Sequence, residues 1–368
     1  MPSRLSDAFK DHPVYAHCKI IDFGSVKELP DSYVWAARDD EATPRIITGS
    51  SVPVVDLRDP NAVTLIGLAC KEWGMFQITN HGVPKDLMVE LERAGRGLFS
   101  LPLQQKMKAA RKPDGISGYG VARISSFFRK RMWSEGFTIF GSPLEHARQL
   151  WPHDHTRFCD VIGRYEEEMK LLAGKLMWLM LGSLGISPNS EGMGWAGPNG
   201  DFPGASHALQ MNSYPACPEP DRAMGMAAHT DSTLLTILLQ NNTIGLQVAK
   251  EGSAGGWITV PTIPGSLIVN IGDLLHVLTN GTYPSVVHRA VVNRVEHRLS
   301  VAYLYGPQSR TRISPLPGLT GGDRPALYGA VTWREYLGMK AEHFDGALSM
   351  LRLRRGASEN DNAGGIRE

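Results

Sequence analysis

The chain has 368 residues, with 38 basic and 37 acidic side chains, 42% hydrophobic residues and 20% charged ones. That composition excludes a disordered chain, and a net charge of +1 lacks the surplus of Lys and Arg that a nucleic-acid binder sets against phosphate. Length alone suggests about two domains, and the 12 histidines are the composition feature to be explained.

The N-terminus mixes Arg4, Asp7, Lys10, Asp11 and His12, which leaves no apolar stretch for a signal peptide. Residues 1–50 read as an irregular extension. Cys18, Cys70, Cys159 and Cys217 form no C-x-x-C pair, so a zinc ribbon has no support and a reducing cytoplasm is expected. Val52–Leu57 reads as a short strand and Asn61–Trp73 as a helix carrying Leu65, Leu68, Ala69 and Glu72. Phe76 and Ile78 alternate with Gln77 and Thr79, the pattern of a half-buried strand. Asn80-His81-Gly82 is turn chemistry, and Pro84 opens a helix with Leu87, Leu91, Ala94 and Leu98 on one face.

A long helix is expected from Asp160, as N-cap, to Leu184, with Ile162, Tyr165, Met169, Leu172, Leu176 and Leu179 on its buried side. It should lie across the back of a sheet. Its apolar run, Leu176–Ile186, is too short to span a bilayer. After a Gly/Pro-rich stretch at 187–206, short β-rich runs follow: Ala208–Tyr214, Thr233–Leu239, Leu246–Val248, Trp257–Val260, Leu267–Ile271, Ser285–Asn293 and Leu299–Tyr305. Many short strands at regular spacing suggest a barrel or a double-sheet jelly roll (a double-stranded β-helix), in an α+β chain with a mainly β core. A last helix is expected over Thr332–Arg354. The organisation is one integrated unit: an extension at 1–50, an N-terminal α/β layer with its backing helix at 51–206, the jelly roll at 207–310, and a C-terminal helix and tail at 311–368.

Two motifs carry no chemistry. Gly192-Met193-Gly194-Trp195-Ala196-Gly197 fits G-x-G-x-x-G, but no strand precedes it and no helix follows to meet a pyrophosphate. His153-Asp154-His155 has no third ligand nearby and reads as a surface loop.

The informative histidines lie in the β-rich half. In His229-Thr230-Asp231 an imidazole and a carboxylate stand two residues apart, so on extended chain both reach one ion. His288, inside a strand-like apolar run 59 residues further on, is the candidate third ligand. Two His and one carboxylate on one face leave three positions open, which suits non-haem Fe(II); zinc hydrolases use the same donors. Arg298 and Ser300 share a strand face with Ala302 and Leu304, and a guanidinium beside a hydroxyl suits a carboxylate. Asn212 and Tyr214 alternate onto one face and add donors.

This ordered set resembles the plant 2-oxoglutarate- and Fe(II)-dependent dioxygenases over nearly the whole chain, with Glu72–Pro84 similar to their N-terminal signature. More narrowly, Ser117–Ile124, Met132–Ile139, Cys217–Gly225 and Ala228–Gln240 resemble the gibberellin 3β-dioxygenases. Related members carry His where this chain has Ser213, a position that alternation points away from the site. The resemblance implies Fe(II) on His229, Asp231 and His288, and 2-oxoglutarate with its far carboxylate on Arg298 and Ser300, fixed by Tyr214 and Asn212. It implies 3β-hydroxylation of gibberellin precursors by dioxygen with release of succinate and carbon dioxide, supported by ascorbate, the oxidant forming at the iron without a separate acid or base residue. Substrate contacts are expected from Tyr119, Arg123, Ser134, Phe137, Thr138 and Leu304, Arg123 ranking first as an anchor for the gibberellin carboxylate. The protein is expected to be a cytoplasmic monomer with no membrane or nucleic-acid partner. The rival readings are another dioxygenase of the family, such as a gibberellin 2-oxidase or flavonoid oxygenase, a zinc hydrolase, or an inactive ligand-binding jelly roll.

Overall fold

The computed structural model describes residues 5–14, 21–35, 51–196, 202–249 and 256–353. Arg4, Cys18, Gly197, Arg354, residues 36–50 of the expected extension and the tail from 354 on lie outside the described residues.

In chain order the strands are β1 (Val54–Asp56), β2 (Met75–Thr79), β3 (Gly118–Gly120), β4 (Glu135–Ile139), β5 (Ser206–Tyr214), β6 (Met226–His229) and β7 (Leu235–Gln240). They continue as β8 (Leu246–Ala249), β9 (Trp257–Thr259), β10 (Leu267–Ile271), β11 (His288–Ala290) and β12 (Arg298–Gly306), with a small pair β13 (Arg312–Ile313) and β14 (Val331–Thr332). The helices are α1 (Ala62–Trp73), α2 (Lys85–Phe99), α3 (Leu103–Lys106), α4 (Leu144–Leu150), α5 (Thr156–Gly182), α6 (Asp273–Leu278), α7 (Trp333–His343) and α8 (Ala347–Met350).

One sheet has the order β1-β2-β10-β7-β12-β5-β4-β3 and a second the order β6-β11-β8-β9. Side chains from both line one cavity of about 550 Å³, so the sheets face each other across it as in the expected jelly roll. The alternation along β12 divides the molecule. Leu299, Val301 and Tyr303 point into a core shared with Leu91 and Leu98 of α2 and Ile162, Tyr165 and Met169 of α5, while Arg298, Ser300, Ala302 and Leu304 point into the cavity. Each of those core side chains contributes about 1.5–3 kcal/mol on burial, which holds the helical layer against the back of the large sheet.

Four elements differ from the expectation. Gln77 is fully buried, because β2 lies between β1 and β10 and its second face meets the inter-sheet core of Met75, Val248 and Ile258; its Oε1 accepts from Ser266 Oγ at 3.2 Å. On α1 the buried side is Ala62, Ile66, Ala69 and Cys70, while Leu65 and Leu68 are exposed. Helix α5 starts at Thr156, one turn early, because Phe158 is already part of the core; Asp160 is therefore an interior residue and not the N-cap. The C-terminal helix ends at His343. Phe344 takes φ 48° and its ring stacks on Phe127 at 4.9 Å and meets Phe128 edge-on at 5.5 Å, so packing against the N-terminal layer overrides helix continuation. Strands β3, β4 and β6 and helix α6 were not expected; the strands are short and contain Gly or Ala, which carry little β-propensity, and α6 spans only six residues.

Candidate metal centre

Strands β6 and β11 pair antiparallel with His288 directly opposite His229, and the two rings lie 4.4 Å apart. The register of the small sheet thus closes the separation between them in sequence. His229 Nδ1 is 2.8 Å from Ala227 O and His288 Nδ1 is 3.2 Å from Val286 O. A ring nitrogen donating to a carbonyl leaves the opposite nitrogen as a lone-pair donor, so both Nε2 atoms are left to ligate. Asp231 lies two residues beyond the end of β6, with Oδ1 3.8 Å from His229 Nε2 and 3.9 Å from His288 Nε2. Those spacings are too long for hydrogen bonds. The three donor atoms lie within 4.8 Å of one another, a donor set that fits a single divalent cation with open positions.

Burial, and then the neighbouring His288, push His229 down to about 4, so the imidazole is neutral near pH 7 and available as a ligand. Burial acts to raise the Asp231 carboxyl, but the two imidazoles and Thr236 outweigh it and hold it below its ordinary value. Asn270 Nδ2 lies 3.5 Å from Asp231 Oδ2.

The loop between the ligands is tied to α6 and α7, which the sequence reading missed. Lys340 Nζ donates to Thr230 O and Oγ1, each at 2.6 Å, and to Asp273 Oδ2 at 2.5 Å. Tyr336 donates to the same oxygen at 2.7 Å, and the Asp273 N–H donates to Asp231 O at 2.8 Å. The only sequence signal was Asp273 directly after Gly272 at the end of a strand, which does not name its partner.

The four residues expected to hold the cosubstrate form two cross-strand pairs, Arg298 opposite Tyr214 and Ser300 opposite Asn212. Arg298 is 2% exposed, its Nη2 donates to Gln240 Oε1 at 2.9 Å, and its Nε and Nη1 meet no acceptor among the described residues. A buried guanidinium with two idle donors is costly unless an anion enters, which fits a carboxylate of 2-oxoglutarate. Glycines make the room: a Cβ on Gly245 would lie 2.7 Å from Arg298 Cδ, and one on Gly225 would lie 2.9 Å from Tyr214 Cδ1.

Of the six expected substrate contacts, Arg123, Thr138 and Leu304 line the cavity, whereas Tyr119, Ser134 and Phe137 do not. Tyr119 pairs with Phe137 across β3 and β4, and alternation sends both to the far face of the sheet. There the Tyr119 hydroxyl bonds Glu135, which also pairs with Lys106 at 2.6 Å, and Phe137 joins the helical core. Ser134 precedes β4 next to a bend at Trp133, so the strand's alternation does not extend to it; it lines a smaller cleft with Arg131. Ser213 points away from the cavity, as alternation requires, and its Oγ lies 2.9 Å from His297 Nε2 and 3.3 Å from Glu135 Oε1. His81 stands in its turn, with Nε2 2.9 Å from Gly265 O.

A family model described as the 2OG-Fe(II) oxygenase superfamily matches residues 205–307, and one described as the N-terminal region of a non-haem dioxygenase in morphine synthesis matches residues 52–155. The chain is 58% identical over 358 residues to gibberellin 3-beta-dioxygenase 1 of Pisum sativum, covering 96% of this chain and 94% of that one. It is 56% identical over 360 residues to gibberellin 3-beta-dioxygenase 1 of Arabidopsis thaliana, covering 96% and 99%. Among solved structures it is similar to JOX2 in complex with 2OG, Fe and JA, at 30% identity and TM-score 0.76 over 90% of this chain and 95% of that one. A rice dioxygenase for auxin oxidation superposes with TM-score 0.67 at 25% identity, over 82% and 100%.

Proposed function

Because the chain belongs to the 2OG-Fe(II) oxygenase superfamily, alongside the gibberellin 3-beta-dioxygenases, we infer that it hydroxylates gibberellin precursors at the 3β position. The reaction consumes 2-oxoglutarate and dioxygen and releases succinate and carbon dioxide. One observation carries the chemistry: a His-Asp-His donor set and a buried guanidinium with idle donors share a single cavity. A zinc hydrolase would have no use for that guanidinium.

His229 Nε2, Asp231 Oδ1 and His288 Nε2 would hold the metal. Fe(II), when bound, supplies the activation of dioxygen that side chains cannot perform. Arg298 and Ser300 receive the far carboxylate of 2-oxoglutarate through charge-assisted hydrogen bonds, and Tyr214 and Asn212 restrict its tilt. Holding the cosubstrate in one pose directs its 2-oxo acid end to the face that the three ligands leave open. The apolar walls of the cavity exclude water and orient a rigid diterpenoid, so that one carbon is presented for reaction. Thr138 and Leu304 contribute to that wall. The assignment includes no separate acid or base. The proposal extends to a cytoplasmic monomer whose activity ascorbate supports, in keeping with its near-neutral charge and widely spaced cysteines.

The test is incubation with Fe(II), ascorbate, 2-oxoglutarate and dioxygen and several gibberellin precursors, followed by mass spectrometry. The expected product is the 3β-alcohol with matching succinate. Hydroxylation at carbon 2 would overturn the regiochemistry and leave the dioxygenase chemistry standing.

A further inference from the structure

Among the described residues, five cationic side chains, Arg111, Arg123, Arg289, Arg298 and Lys340, line the cavity against a single carboxylate, Asp231. Three of them are engaged. Arg298 faces the cosubstrate position, Lys340 is neutralised by Asp273 at 2.5 Å, and Arg289 donates to Gln247 Oε1 at 2.9 Å while lying 4.0 Å over the Trp257 ring.

Arg111 and Arg123 remain. Arg111 is 5% exposed; its Nη2 donates to Val121 O at 2.5 Å and its Nε meets no acceptor among the described residues. Arg123 donates through Nη2 to the carbonyls of Gly115 and Pro113, its Nε meets no acceptor among the described residues, and its guanidinium lies 3.8 Å over the Phe9 ring. Among the described residues neither forms an ion pair with a carboxylate. Phe9, Val14, Ile116, Ile124, Phe127 and Leu337 give the same cavity an apolar wall. Burial, and then Arg111 itself, press the Arg123 charge down, with Asp114 opposing weakly; burial does the same to Arg111. Two like charges held in an apolar chamber with idle N–H groups are favourable only when an anion joins them.

We propose that Arg111 and Arg123 together form an anion subsite that takes the carboxylate of a rigid, apolar monocarboxylic acid. The inference rests on the gibberellin reading above and adds the residues that orient such an acid. The carboxylate receives charge-assisted hydrogen bonds from both guanidinium groups, and the hydrocarbon skeleton lies along the apolar wall toward the metal ligands.

The test compares a gibberellin precursor lacking the 3-hydroxyl with its methyl ester, by calorimetric titration into full-length protein loaded with Mn(II) and 2-oxoglutarate, which does not turn over. Wild type should bind the acid at least about tenfold more tightly than the ester. Arg111→Met and Arg123→Met should each lose most of that preference while keeping the affinity for the ester, and Arg123→Lys should retain part of it. Equal binding of acid and ester by wild type, binding of neither, or full preference in both Met variants overturns the subsite. Should Arg111→Met fail to fold, the wild-type comparison and Arg123→Met still decide. The two readings separate in the aerobic Fe(II) assay. A 3β-alcohol without acid preference sinks the subsite alone, and acid preference without a 3β-alcohol sinks the reaction alone.

Discussion

A glycine sets the position of Arg298, the arginine proposed to hold the cosubstrate. A Cβ on Gly245 would come within 2.8 Å of Val291 O as well as 2.7 Å of Arg298 Cδ, and only the side chain can give way. Gly245→Ala should therefore displace the guanidinium, at a cost of about 1–3 kcal/mol for the overpacked site. The expected kinetic signature is a raised KM for 2-oxoglutarate with the KM for the gibberellin little changed; an unchanged 2-oxoglutarate KM would refute the positioning. At this scale much of the site was legible. The His-x-Asp spacing, His288 in an apolar strand and the Arg298/Ser300 alternation all follow from side-chain type and a two-residue period. Arg111 was not legible, because a lone arginine in sequence does not reveal that it is buried without a carboxylate.

Helix α7 acts on the proposed metal centre from outside it. Its N-terminus is fixed by a capping box, in which Thr332 Oγ1 accepts from the Glu335 N–H and Glu335 accepts from the Thr332 N–H. Its far end carries Lys340 onto Thr230 and Asp273. Lys340→Met would leave Asp273, itself fully buried, without its cation, a loss on the order of 3–5 kcal/mol. Thermal unfolding should show a lowered Tm, and Mn(II) titration a weakened affinity, because the loop between His229 and Asp231 loses its anchor. A lowered Tm with intact Mn(II) affinity would make Lys340 purely structural. Elements with a strong apolar period, such as α2 and the centre of α5, were readable in advance. The end of α7 was not, since the contact of Phe344 with Phe127 joins segments more than two hundred residues apart in the chain.

For the molecule as a whole, the two sheets and the helical layer bury their cores without help from the three ligands, which sit in a cavity wall. Removing metal by chelation should leave the far-ultraviolet circular dichroism unchanged, whereas Mn(II) with 2-oxoglutarate should raise the Tm. Ligand at a hundredfold its Kd stabilises the folded state by about 2.7 kcal/mol. Loss of secondary structure on chelation would instead make the metal a folding element. Strands from residues 54–139 and strands from the β-rich half share one eight-stranded sheet.

What the sequence determined by itself was local: the donor types, the face each strand presents, and the kind of small acid that an arginine beside a hydroxyl would hold. Those properties depend on side-chain chemistry and backbone period, which neighbouring residues set. Which cations reach the cavity uncompensated, which of Arg123, Tyr119 and Phe137 line it, and what steadies the metal ligands were decided only by tertiary structure. Each depends on a partner from a distant segment, and burial gives an unmet charge its meaning.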